Sequence, residues 1–85
     1  MDGATISRFK KYVDVGASFS AEGILTPLWI IWEHKRRYDI DRIIRMERAA
    51  SRKAGGHGIR YTCMVSGRQV HLYYEENYRW FVEAK

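Results

Sequence analysis

The chain has a single cysteine, a single proline and no long apolar run, and each shortage excludes a class of protein. With Cys63 alone, no disulfide can form within the chain, which suits a reducing compartment, so a cytoplasmic location is expected. Cys63, His34, His57 and His71 show neither Cys-x-x-Cys nor His-x-x-x-His spacing, so no metal is expected. The longest unbroken apolar stretch, Leu28 to Trp32, is far short of the roughly 20 residues that span a bilayer. The opening MDGATISRFKKY has no apolar segment before its charges, so neither a secretory signal nor a membrane partner is expected. Neither GxxxxGK[ST] nor GxGxxG occurs, and no cofactor is expected.

What is present describes a small β protein. At 85 residues the chain is one domain, 1–85, with residues 1–8 read as a loose lead-in. A chain this short buries only about 60–65% of its unfolded surface, which leaves little stability in reserve and favours oligomerisation. The 14% aromatic content helps, because each ring buries a large area.

The clearest pattern lies at the carboxy-terminal end. Ile59, Tyr61, Cys63 and Val65 alternate with Arg60, Thr62, Met64 and Ser66, the period of a strand with one buried face. Ser66-Gly67 then predicts a two-residue hairpin turn, glycine supplying the positive φ. Val70, Leu72 and Tyr74 continue the alternation. After the turn at Glu76-Asn77, Tyr78, Trp80 and Val82 share one face and Arg79, Phe81 and Glu83 the other.

Upstream, Tyr12 to Phe19 reads as a strand with Val13, Val15, Ala17 and Phe19 on one face. Ser20 to Gly23 closes it, and Ile24 to Glu33 follows with Leu28, Ile30 and Trp32 opposite Trp29 and Ile31. Pro27 cannot donate to a ladder and marks a bulge, an edge or a bend. After a short turn at His34 to Arg36, residues Arg37 to Ala50 are ambiguous between a strand, Arg37 to Arg48, and a helix. As a strand they place Tyr38, Ile40, Ile44 and Met46 on one face. As a helix from Asp39 to Ala54 they place Ile40, Ile43, Ile44 and Glu47 in register, with Asp39 as N-cap. The strand is preferred because the preceding short turn suits another hairpin. The expected fold is therefore all-β, an antiparallel meander of five to six strands curled into a barrel or strongly twisted sheet, since closure removes exposed edges.

TPLWIIWEHKRRYDIDRI, GIRYTC and YYEENYRWFVE together resemble a group of short bacterial proteins with no assigned activity. These share a Trp-rich strand, a basic turn, Tyr-x-Ile-Asp-Arg and an aromatic final hairpin. The resemblance covers Thr26 to Glu83. It implies a bacterial origin and an all-β fold, and it carries over no functional residue.

Two features carry candidate binding chemistry. The first is the loop containing Arg52, Lys53, Gly55, Gly56, His57, Gly58 and Arg60, whose glycines and cations could receive a phosphate or a nucleic-acid backbone. Its plainer reading is a flexible surface connection. The second is the set Trp29, Tyr73 and Phe81, placed by alternation opposite the core and so available to a partner or to stacked bases. Asp39 and Asp41 with His71 form the best acid–base group, but nearby arginines make ion pairing the plainer role, and no catalytic residue is assigned. The net charge of +5 is spread along the chain and interleaved with acids, as in RRYDIDR. The expected function is a non-catalytic interaction module that self-associates or binds a protein, with nucleic-acid binding as the alternative.

Overall fold

A computed structural model describes residues 9–50, 57–75 and 77–84. Seven strands follow in order: β1 Phe9–Phe19, β2 Leu25–Ile31, β3 Arg37–Asp39, β4 Arg42–Ala50, β5 His57–Val65, β6 Arg68–Tyr74 and β7 Trp80–Ala84. They form one antiparallel sheet in the order β3-β2-β1-β7-β6-β5-β4. Residues 42–50 are strand, so the preferred reading of the ambiguous segment holds. The expected lead-in, residues 1–8, lies outside the described residues.

Chain connectivity forces the sheet to curl. β3 and β4 are its two edges, yet only Ile40 and Asp41 separate them. Laid flat, six steps of about 4.8 Å would part these edges by roughly 29 Å, while the link reaches only about 10 Å. The link is pinned on both sides: the Ile40 N–H donates to the Leu28 carbonyl at 2.9 Å and the Asp41 N–H to the Met64 carbonyl at 2.8 Å. The edges therefore meet at this corner and diverge beyond it. The result is a half-closed barrel, less closed than expected, and the corner splits one expected strand into two, which raises the count to seven.

Inside the curl lie Leu25, Ile30, Tyr61, Cys63, Val65, Leu72, Trp80 and Val82, with Val13, Val15, Tyr38 and Ile43 packed against them. Trp80 sits between Tyr61 and Tyr74, at 5.7 and 4.9 Å between ring centroids. The carboxy-terminal alternation thus holds on its inner side except at Tyr78, which precedes β7 in a left-handed conformation and stands exposed.

Turn chemistry follows the residues. Ser66 (φ 51°) and Gly67 (φ 78°) are both left-handed, as a two-residue turn matching strand twist requires. The Ser66 N–H donates to Asp41 Oδ2 at 3.1 Å, which ties this turn to the corner. At the first hairpin the Ser20 hydroxyl accepts from the N–H groups of Glu22 and Ile24.

Two bulges correct the expected faces. Gly16 pairs with Trp29 and Ala17 with Pro27, so Leu28 is the extra residue on β2 and turns outward. Ile43 pairs with Cys63 and Arg45 with Thr62, so Ile44 is the extra residue on β4. Ile43 takes the inward place expected of Ile44, and Ile44 and Met46 stand 48% and 53% exposed. Phe19, also expected inside, is exposed at the end of the first hairpin.

Candidate functional site

The outer face carries a row that runs straight across five strands. Glu47 on β4 lies opposite Arg60, Arg60 opposite Tyr73, Tyr73 opposite Phe81, and Phe81 opposite Tyr12 on β1. Directly opposed side chains on a sheet touch, so the row is continuous. Tyr73 stacks on Phe81 at 4.8 Å and nearly parallel, Tyr12 meets it edge-on at 5.9 Å, and Lys10 Nζ stands 4.8 Å from its ring centre. Phe81 is consequently 0% exposed, which corrects the expectation that it faces solvent. Tyr73 is half-buried in the same stack.

Charge closes both ends of this row. Glu47 accepts from Arg60, and the Tyr73 hydroxyl and the Glu47 carboxylate together raise the Arg60 pKa. At the other end Lys10 is paired with Glu75, which also accepts from the Tyr12 hydroxyl at 3.0 Å. Burial works against the Lys10 charge, yet Glu75 and Tyr12 outweigh it and its pKa is raised. Arg79 stacks on the Tyr12 ring at 3.8 Å.

Trp29 occupies its own seat. A Cβ at Gly16 would overlap the Trp29 indole, so only glycine at the opposing position lets the ring lie flat against β1. Arg37 covers the ring at 4.1 Å. The three aromatics proposed as a partner surface thus fall in two separate places: Trp29 between Gly16 and Arg37, and Tyr73 with Phe81 under Lys10 and Tyr12.

Of the basic loop, Arg52, Lys53, Gly55 and Gly56 lie outside the described residues. His57 begins β5. Gly58 is buried where a Cβ would overlap the Tyr74 carbonyl oxygen, so its glycine is a packing requirement between β5 and β6. Arg60 points to the outer row and is held there by Glu47. Gly58 and Arg60 therefore have structural roles, and His57 takes its place in the β4–β5 ladder opposite Ala50.

The acid–base group does not assemble. Asp39 accepts from Arg37 Nε at 2.8 Å, Asp41 holds the Ser66 turn, and His71 Nδ1 is hydrogen-bonded to Thr62 Oγ1 at 3.2 Å. Among the described residues no three His, Cys, Asp or Glu groups are arranged to hold a metal ion. Burial pushes the Cys63 thiol up to about 11, far from a nucleophile's range. The described residues also line open concavities. A groove of about 430 Å³ runs along Tyr12, Asp14 and Val15 beneath Tyr78 and Arg79. A trough of about 330 Å³ lies between Trp32 and Tyr38 on one side and Val65 and Val70 on the other.

The feature least supplied with partners is the seam. Beyond the corner, β4 pairs only with β5 among the described residues, and β3 reaches along β2 only to Trp29. The gap between β4 and the first half of β2 is bridged from inside, where the Tyr61 hydroxyl donates to the Leu25 carbonyl at 2.5 Å. Met46 lies directly opposite Tyr61 on β5 and so stands at the mouth of this seam. Pro27 sits in the part of β2 that β3 leaves unpaired, where a missing N–H costs no ladder bond.

Sequence reasoning missed β4 as a sheet edge. The available signal was Arg42, Arg45, Glu47 and Arg48 within nine residues, since edge strands are commonly guarded by charge. No described helix is long and apolar enough to cross a membrane. No family model, curated protein or solved structure matches this chain, so the functional reading is carried by its own geometry.

Proposed function

We propose that this chain is a non-catalytic interaction module that binds another polypeptide by strand addition along β4. The observation that supports it is the edge itself: β4 is nine residues long and, among the described residues, has a partner on one side only. Such an edge presents a row of backbone donors and acceptors that an extended segment can satisfy, while alternate side chains select the segment. Ile44 and Met46 add exposed apolar surface on this strand. The Glu47–Arg60–Tyr73–Phe81–Tyr12 row braces the sheet behind it, so the edge is presented by a stiff support.

Nucleic-acid binding is less well supported. It calls on Arg60, which Glu47 holds, and on Phe81, which is buried. One titration separates the two readings. Extended peptides of alternating apolar and acidic residues, followed by amide NMR, are expected to shift β4 resonances selectively. A mixed oligonucleotide that binds instead, with affinity falling steeply as salt rises, supports the alternative. Unmoved β4 resonances with every peptide count against strand addition.

A further inference from the structure

We propose that the strand added along β4 is the β4 of a second copy, the two meeting antiparallel about a two-fold axis at Met46. This rests on the strand-addition reading and names its occupant. Directly opposed residues of an antiparallel pair share a face. Two identical strands related by a dyad therefore satisfy the pleat only when the axis passes through a residue pair, so each residue of β4 defines one register. Centring on Arg45 sets that arginine against its own copy and Arg42 against the partner's Arg48. Centring on Glu47 or Arg48 likewise opposes like charges at the axis. Centring on Ile44 sets outer-side Arg45 against the partner's inner-side Ile43, and centring on Ile43 or Ala49 pairs only three residues of β4 and on Arg42 or Ala50 only one.

Met46 is the remaining centre: it pairs Ile44 through Arg48, and the bulge at Ile44 ends the regular ladder there. In this register Arg45 stands opposite the partner's Glu47, and the dyad repeats the pair. Arg48 stands opposite the partner's Ile44, so no like charges face each other within the paired stretch. The sides are also consistent. Arg45 and Glu47 are opposite Thr62 and Arg60 on the outer side of the sheet, while Met46 is opposite Tyr61 on the inner side. The two Met46 side chains then meet beside Tyr61 of each copy and cover the mouth of the seam that the half-closed barrel leaves open.

The test combines mass with register. Sedimentation equilibrium is expected to give twice the chain mass at about 200 μM, with dissociation on dilution. Met46→Cys is expected to form an intermolecular disulfide on mild oxidation, because facing Cβ atoms at a dyad are about 5 Å apart. Cys63 is wholly buried and does not compete. Ile44→Cys is expected to stay at background, since the two copies of residue 44 would lie four residues apart along the strands, about 13 Å. Arg45→Glu places two like-charge pairs across the axis and is expected to weaken association roughly tenfold at low salt. A monomer at the highest concentration, or equal cross-linking through positions 44 and 46, overturns the proposal. If the chain is monomeric, the peptide titration separates the failures. Peptide-induced shifts on β4 leave strand addition standing with a foreign occupant, and their absence removes both.

Discussion

Phe81 shows what residue-level periodicity can and cannot reach. It alternates with Trp80 and Val82, which face the interior, so a period of two assigns it to the opposite side, and the structure agrees. That side is not solvent, because Tyr73 stacks on the ring and Tyr12 and Lys10 close over it. The cover comes from residues distant in sequence, brought alongside only by the β1–β7 and β6–β7 registers. Alternation within one strand cannot reveal it. Phe81→Leu keeps most of the apolar volume and loses the stacked ring, so urea unfolding is expected to show a loss of about 1–2 kcal/mol. A change within error would mean that the stack adds nothing beyond burial. The same row gives Arg60 partners that its place beside a glycine-rich loop does not announce: Glu47 and Tyr73 across the sheet.

At the scale of elements, strand identity was legible and strand orientation only partly so. β5, β6 and β7 and the Ser66-Gly67 turn follow from alternation and glycine placement. β4 is legible as a strand despite helix-forming residues, and alternation places Met46 on the correct side, but it assigns Ile44 rather than Ile43 inward because a one-residue bulge leaves no mark in the pattern. Nor does Ile40-Asp41 announce a corner, since both residues are compatible with extended chain. The β2–β3 turn is a further case. His34 (φ 62°) and Lys35 (φ 57°) are both left-handed without glycine or asparagine, and the Trp32 N–H donates to the Arg36 carbonyl at 2.7 Å to hold the turn closed. A left-handed non-glycine residue costs roughly 1–2 kcal/mol, so Lys35→Gly is expected to raise the urea midpoint, by about 1 kcal/mol of stability. A lower midpoint would show that the lysine side chain contributes more than its backbone costs.

For the whole molecule, ion pairs join segments far apart in sequence and set a pH response. Burial alone would raise the Glu75 pKa, but the hydrogen bonds from Lys10 and Tyr12 outweigh it and the carboxyl lies below its ordinary value. Glu33 is lowered by its hydrogen bond and charge interaction with Lys11. A carboxyl whose folded pKa is depressed contributes stability that is fully present above the unfolded value, near 4.3, and is lost as pH falls through the folded value. Urea midpoints are therefore expected to be level above about pH 5 and to fall below pH 4. Glu75→Gln is expected to lower the neutral plateau and flatten the acid slope, whereas an unchanged slope would exclude Glu75 as a source.

The first and last strands are neighbours, with Phe9 beside Ala84 and Tyr12 beside Phe81. Ribosomes release the amino-terminal end of a chain first. During synthesis β1, β2 and β3 therefore wait as a ribbon, one flank open to water, until Trp80–Ala84 clears the exit tunnel and fills the slot beside them. Completion of this sheet waits for its last strand in chain order, and until then the nascent ribbon is the part of the sheet with most to gain from a chaperone.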